Sequence, residues 1–136
     1  MDLINIALSQ YGITEYSNAE NPEILKYFHQ TGQKWVKEDE LSWCSAFVNW
    51  VAKTCGKPYS GKLNARSWLD IGIPVDIPII GDIVILWRES KDSWKGHVGF
   101  YINESDRHIW ILGGNQNNMV RISAYPKGRL LGFRRL

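Results

Sequence analysis

The sequence predicts an α+β fold in which helices in the first part of the chain precede an antiparallel β-sheet. Up to about residue 71, apolar residues recur with helical spacing between capping residues and glycines. From Asp82 onward, short apolar runs alternate with turn-forming segments, which is typical of a β-meander. A chain of 136 residues is long enough for one substantial core, so we predict a single domain over residues 1–136.

Four helical segments are expected before the strands begin. They cover residues 2–10, the segment from Asn21 to Gly32, the segment from Ser42 to Gly56, and a short stretch at 65–71. Asn21 and Ser42 are the predicted N-caps of the second and third helices, because short polar side chains accept hydrogen bonds from the free amides of a first turn. Pro22 suits the first turn of the second helix.

Five strands are expected in the second part of the chain. The candidates are residues 83–87, 97–102, 108–112, 119–122 and 130–134. Segments rich in Gly, Asn, Asp, Ser and Pro separate the last four of them, as hairpin connections require. We therefore expect an antiparallel sheet packed on the third helix.

Composition and charge are those of an ordinary soluble globular protein. The net charge is +2 and 44% of the residues are hydrophobic, with no basic block that indicates nucleic acid and no apolar stretch that indicates a membrane span. The N-terminus has no Sec signal pattern, so we expect synthesis in the cytoplasm and action in the periplasm or cell wall after delivery or lysis. Most of the seven tryptophans should be core residues, although some could line a groove for sugar or peptide.

Cys44 is the first residue with evident chemical potential. It lies at the predicted start of the third helix, where the helix dipole favours thiolate, the nucleophilic form of cysteine. The alternative is an inert core thiol, since free cysteine is among the most buried residue types. A disulfide with Cys55 is not expected, because one helix would hold the two Cα atoms about 16 Å apart.

His97 is the candidate partner of Cys44. It lies between Gly96 and Val98 at the start of a predicted strand, and cysteine hydrolases pair a thiol on a helix N-terminus with a histidine. The alternative is a strand histidine with a structural hydrogen bond. His108 falls in a predicted turn and should be exposed, and the scattered histidines lack metal-ligand spacing, so no metal or cofactor is expected.

A second unusual cluster runs from Gly113 to Asn118. Gly and Asn tolerate positive φ, so a tight hairpin is one interpretation of the string Gly-Gly-Asn-Gln-Asn-Asn. In the other interpretation, the amide oxygen of Asn115 or Gln116 accepts from the imidazole of His97. A cysteine–histidine pair needs such a third group to hold the tautomer and the ring orientation.

Six motifs, taken in order, resemble the NlpC/P60-type and CHAP-related cysteine peptidase and amidase family of the bacterial cell wall. They are Trp-Cys-Ser-Ala-Phe-Val-Asn-Trp (43–50), Ala-Arg-Ser-Trp-Leu (65–69), Gly-Asp-Ile-Val (81–84), Gly-His-Val-Gly-Phe-Tyr (96–101), Leu-Gly-Gly-Asn-Gln (112–116) and Leu-Leu-Gly-Phe-Arg-Arg (130–135). The likeness runs from about residue 5 to the C-terminus and is strongest to a small single-domain subgroup found in bacteria and phages. No single motif would suffice, but together they are specific.

The resemblance implies a papain-like core and the cleavage of an amide bond in peptidoglycan peptides, by an endopeptidase or an N-acetylmuramoyl-L-alanine amidase. It assigns Cys44 as the nucleophile, His97 as the general base and Asn115 as the third polar residue. The residues expected to contact substrate are Ser42, Trp43, Gly96 and Gln116.

Two departures from the family pattern concern the substrate subsites. The segment from residue 37 to Ser42 is more acidic than in better-known members, and no tyrosine stands just before the cysteine. Two other functions stay open, a non-hydrolytic cell-wall-binding module and an acyl-transfer toxin that acts on proteins. A phage endolysin and a delivered antibacterial effector both fit the sequence, and an effector would need an immunity protein that covers the groove.

Overall fold

A computed structural model of the chain describes residues 2–17, 19–35 and 42–136. Its helices and strands follow the predicted order. The α-helices are α1 (Leu3–Leu8), α2 (Pro22–His29) and α3 (Cys44–Thr54), and the 3₁₀ helices are Ala65–Asp70 and Lys127–Arg129. The strands are β1 (Ile73–Val75), β2 (Ile83–Trp87), β3 (Gly96–Glu104), β4 (His108–Gln116), β5 (Met119–Pro126) and β6 (Leu130–Arg135).

The helix starts agree with the predicted capping in α2 and differ in α3. The Asn21 side chain accepts from the Glu23 amide at 2.9 Å, which confirms the predicted N-cap and the proline in the first turn. In α3 the N-cap position is held by Trp43, without a side-chain capping bond, so the prediction that Ser42 caps this helix is wrong. The helix begins at Cys44 itself, which places the thiol in its first turn.

The sheet has six strands in the order β1-β6-β2-β3-β4-β5, and all the paired strands are antiparallel. Strands β2 to β5 form the predicted meander. Strand β1 was not predicted, because Pro74 and Gly72 indicate a break in the chain. It pairs only with β6 at the sheet edge, where a proline costs no hydrogen bond to a second neighbour. No helix among the described residues is long and apolar enough to cross a membrane.

The main core lies between the sheet and α3. Helix α3 packs on β3 and β4, and α1 and α2 both pack on α3. Alternate residues of β2 enter two separate apolar clusters: Ile83 and Ile85 face α3, and Val84 and Leu86 lie in a smaller cluster. Burial on both faces explains why this strand reads as a continuous apolar run.

Asp82 ties the turn before β2 to the last strand. Its carboxylate, 3% exposed, accepts from the Ile79 amide at 2.8 Å and from two nitrogens of Arg135 at 3.0 and 2.8 Å. The Gly81-Asp82 motif therefore has a structural role.

A β-bulge followed by a tight turn shapes the end of β4. Gly113 pairs with Arg121 and Gln116 pairs with Met119, so two residues of β4 stand opposite one residue of β5. Asn117 and Asn118 then form a two-residue turn with φ of 54° and 59°, the conformation of a type I′ hairpin. The predicted hairpin is thus confirmed.

Gly114, inside this bulge, touches the start of α3. A Cβ atom at position 114 would lie 2.7 Å from the Trp43 ring and 2.8 Å from Cβ of Phe47. Only a residue without a side chain allows β4 to approach the helix this closely.

We expect Gly114→Ala to lower the free energy of unfolding by about 1–3 kcal/mol, because the added methyl group overpacks a rigid aromatic contact. The matched control is Gly128→Ala, since a Cβ atom there meets nothing within 4 Å and that change should stay within about 0.5 kcal/mol. Urea unfolding of the two variants measures the difference. Equal stabilities would show that β4 does not rest on α3 as described.

Candidate active site

Cys44 and His97 come together where α3 meets the sheet. Cys44 is the first residue of α3 and His97 is the second residue of β3, opposite Leu86 of β2. Both side chains are nearly buried, with 2% and 7% of their surface exposed. The hydrogen bond between them lowers the pKa of Cys44 and raises the pKa of His97.

Gln116 is the third member of this cluster. Its Oε1 lies 2.8 Å from Nε2 of His97, and its Nε2 donates to the carbonyl oxygens of Ile111 at 3.1 Å and Arg121 at 2.7 Å. Two carbonyl partners fix which end of the amide carries hydrogen, so the amide oxygen must face the imidazole. Nε2 of His97 is therefore a donor, and Nδ1 is the nitrogen left for Cys44.

The contact predicted for Asn115 is made by Gln116, so that prediction is wrong. In a regular strand Gln116 would point away from the side that faces His97. The bulge adds a residue and Asn115 adopts a φ of 57°, which together reverse the alternation before Gln116. Asn115 instead lines a neighbouring cavity. Gly113 leaves room for the new contact, because a Cβ atom there would lie 2.6 Å from Oε1 of Gln116.

The electrostatic environment favours a thiolate–imidazolium pair. Burial has the largest single effect on the pKa of Cys44 and raises it. The hydrogen bond and charge of His97, the Val98 amide and the Ser42 hydroxyl act in the opposite direction, and the net pKa lies below that of an ordinary thiol. For His97 burial lowers the pKa, but the hydrogen bond and charge of Cys44 and the bond to Gln116 raise it above its usual value.

Tyr125 of β5 also contacts the imidazole. Its hydroxyl lies 3.2 Å from Nε2 of His97, and the two rings stack with centroids 5.0 Å apart. Burial, followed by the negative charge of Cys44, raises the pKa of Tyr125 to about 12, so the phenol is neutral at physiological pH. The sequence analysis missed this residue, because nothing in the local string Ser-Ala-Tyr-Pro distinguishes it from an ordinary strand tyrosine.

Two cavities flank the Cys44–His97 pair, and Arg88 lines both. The cavity on the His97 side has a volume of about 310 Å³ and polar walls that include Asn115, Tyr125 and Arg129. The cavity on the Cys44 side measures about 190 Å³ and includes Ser42, Leu63, Trp94 and Gly96. It adjoins an apolar space of about 330 Å³ between the exposed rings of Trp35 and Trp94.

The residues predicted to contact substrate divide into two pairs. Ser42 and Gly96 line the cavity beside Cys44, where a substrate could reach them. Trp43 is completely buried against Tyr27 and donates to Glu15 at 3.4 Å, and Gln116 is 3% exposed with both ends of its amide engaged. Trp43 and Gln116 therefore support the site from inside the protein, and predicting substrate contacts for them was wrong.

Arg66 holds the loop between β2 and β3 over the site. Its guanidinium donates to the carbonyl oxygens of Lys95 at 2.8 Å, Lys91 at 2.7 Å and Ser90 at 2.9 Å. This loop carries Arg88 and Trp94, which line the cavities. Arg66 belongs to one of the six motifs, so its position in the sequence was visible although its role was not.

Other sequence expectations can be placed on the structure. His108 is exposed, as predicted. Cys55 directly follows α3, so a single helix separates the two cysteines. Residues 37–41 of the acidic segment before Cys44 lie outside the described residues.

A family model for the CHAP domain matches residues 36–115, which is more than half of the chain and includes both Cys44 and His97. The chain therefore belongs to the CHAP family, and the resemblance inferred from the motifs is confirmed. CHAP domains are in general cysteine- and histidine-dependent amidases or peptidases with peptidoglycan as substrate. No curated protein is similar enough to this chain to count as a match.

The ionisation of Cys44 can be tested by alkylation in a Cys55→Ala background, where Cys44 is the only thiol. We expect the rate of reaction with iodoacetamide to rise with pH through a midpoint below the value of about 8.5 for a free cysteine. In His97→Ala the burial remains but the charge and the hydrogen bond are lost, so the midpoint should move above that value. An unchanged midpoint in His97→Ala would contradict the ion pair.

The same assay distinguishes Gln116 from Asn115. Gln116→Ala removes a hydrogen bond that raises the pKa of His97. The pKa of His97 should therefore fall, its positive charge should stabilise the Cys44 thiolate less, and the alkylation midpoint of Cys44 should rise. Asn115→Gly keeps the backbone able to adopt positive φ and removes only an amide that does not touch His97, so its midpoint should match the parent protein. A raised midpoint in Asn115→Gly together with an unchanged midpoint in Gln116→Ala would show that Asn115, and not Gln116, orients His97.

Proposed function

We propose that the protein is a peptidoglycan hydrolase that cleaves an amide bond of cell-wall peptides by acyl transfer through Cys44. The observation that carries the proposal is the orientation of His97 by Gln116, which leaves Nδ1 for the thiol. A core thiol or a structural histidine would not need this arrangement, and neither would a non-hydrolytic binding module. Membership of the CHAP family supports peptidoglycan as the substrate class.

In the first half of the proposed reaction, the Cys44 thiolate attacks the carbonyl carbon of the scissile amide. The developing oxyanion accepts a hydrogen bond from the Cys44 amide, because the first amides of a helix have no intrahelical acceptor. The imidazolium of His97 then gives its proton to the leaving nitrogen. The C–N bond breaks, the amine leaves, and the acyl group stays on sulfur as a thioester.

In the second half, water enters the space that the amine has left. His97, now neutral at Nδ1, takes a proton from the water as it attacks the thioester carbonyl. The C–S bond breaks, the acyl fragment leaves as a carboxylic acid that gives its proton to the solvent, and the thiolate–imidazolium pair is restored. Gln116 keeps its bond to Nε2 throughout, so the ring does not turn between the two halves.

The finer fold assignment follows the same geometry. A helix that starts with the thiol and packs on the strand that carries the histidine supports a papain-like arrangement. Peptidoglycan lies outside the cytoplasm, so the proposed substrate also requires the protein to act in the periplasm or the cell wall.

We expect the wild-type protein to release soluble fragments from purified peptidoglycan, with masses that identify an endopeptidase or an amidase product. Cys44→Ala should abolish release, and His97→Ala should leave less than about a thousandth of the rate, because it removes both base and acid. His108→Ala is the matched control, since this exposed histidine lies outside the site.

Intact peptidoglycan after incubation with folded wild-type protein would contradict the proposal. So would full activity in Cys44→Ala. Cleavage or acylation of added proteins, without attack on peptidoglycan, would favour the acyl-transfer toxin.

A further inference from the structure

The cavity beside His97 has an unbalanced positive charge. Arg88 and Arg129 both line it, and none of its described lining residues is acidic. The acidic side chains nearby in sequence are engaged elsewhere: Glu89 pairs with Lys95 at 2.8 Å, and Glu104 pairs with Lys127 at 2.6 Å. In the part of the chain that the structure describes, neither arginine forms an ion pair.

Arg129 is held in a defined place at the edge of this cavity. Its guanidinium carbon lies 5.6 Å from the centre of the Trp87 ring. Trp87 is itself fixed, because its indole nitrogen donates to the Gly128 carbonyl at 3.1 Å. Stacking on an aromatic ring leaves the guanidinium edge open, and that edge can bind a carboxylate through two parallel hydrogen bonds.

The proton transfer from His97 to the leaving nitrogen determines which part of a substrate enters this cavity. The leaving nitrogen must lie beside His97 to receive its proton, so the released amine fragment extends toward the His97 side. The acyl fragment then lies on the Cys44 side, near Leu63 and Trp94. The basic cavity thus faces the half of the substrate that departs with the new amine.

We propose that Arg129, with Arg88 across the cavity, binds a free carboxylate on the peptide that leaves as the amine. Asn118 and the Tyr125 hydroxyl, which line the same space, supply further polar groups for this peptide. The assignment rests on the proposed hydrolysis and adds a specificity: peptides with a carboxylate on the leaving side are preferred over those with a carboxamide.

The test uses two synthetic substrates built around the bond that the mass analysis identifies. They differ only on the leaving side, where one carries a carboxylate and the other carries the isosteric carboxamide. We expect the wild-type protein to prefer the carboxylate by about 10-fold in kcat/KM, as the loss of one charged interaction predicts. The preference should appear mainly in KM, because the contact exists before and during the chemical step.

Arg129→Gln should remove the preference by lowering kcat/KM on the carboxylate substrate about 10-fold. Arg129 is chosen over Arg88, because Arg88 also lowers the pKa of His97 and its loss would alter the chemistry. Arg107→Gln makes the same charge change on an exposed residue outside the cavity and should keep the preference.

Equal rates on the two substrates in wild type, or an unchanged preference in Arg129→Gln, would overturn the proposal and leave the hydrolase assignment intact. A second measurement does not depend on turnover. The amine product with a carboxylate should slow alkylation of Cys44 in the wild-type protein at lower concentration than its carboxamide analogue, and Arg129→Gln should abolish that difference. Equal protection by both peptides would count against the subsite.

Discussion

The close packing of β4 on the start of α3 is the constraint on which the rest of the site depends. Gly114 lies against Trp43, the residue before Cys44, and against Phe47, which follows Cys44 by about one turn of α3. This contact also holds the bulge of β4 in place, and the bulge directs the Gln116 side chain toward the imidazole of His97. Cys44 and Gln116, whose amide orients His97, are thus positioned by a single helix–sheet contact.

The charged forms of Cys44 and His97 depend on this precise support. Desolvation is the largest influence on both Cys44 and His97, and in each case it opposes the charged form. Several hydrogen bonds act against this desolvation: the Val98 amide and Ser42 lower the pKa of Cys44, and Gln116 raises the pKa of His97. A buried charge pair without such bonds costs more in desolvation than its mutual attraction returns.

The sequence predicted the fold class and the order of elements because helical and strand patterns are local. It missed β1, since a proline at a sheet edge looks like a break, and it placed the N-cap of α3 one residue early, at Ser42 instead of Trp43. It predicted that Cys44 and His97 meet, because their positions at the starts of a helix and a strand are visible in the string. It did not predict that Gln116 contacts His97. A β-bulge reverses the face of β4 to which Gln116 points, and the spacing of apolar residues along the sequence does not reveal a bulge.

The cavity beside Cys44 and the cavity beside His97 differ in polarity, and residues of the loop between β2 and β3 line both. The loop after β2 places Arg88 at the junction of the cavities and Trp94 on the apolar side, and Arg66 holds it through backbone carbonyls alone. Bonds to carbonyls fix the path of the loop without restricting its side chains. The polarity of the two cavities, aromatic beside Cys44 and basic beside His97, can therefore change by substitution within this loop. The arrangement of Cys44 and Gln116, set by α3 and β4, stays the same.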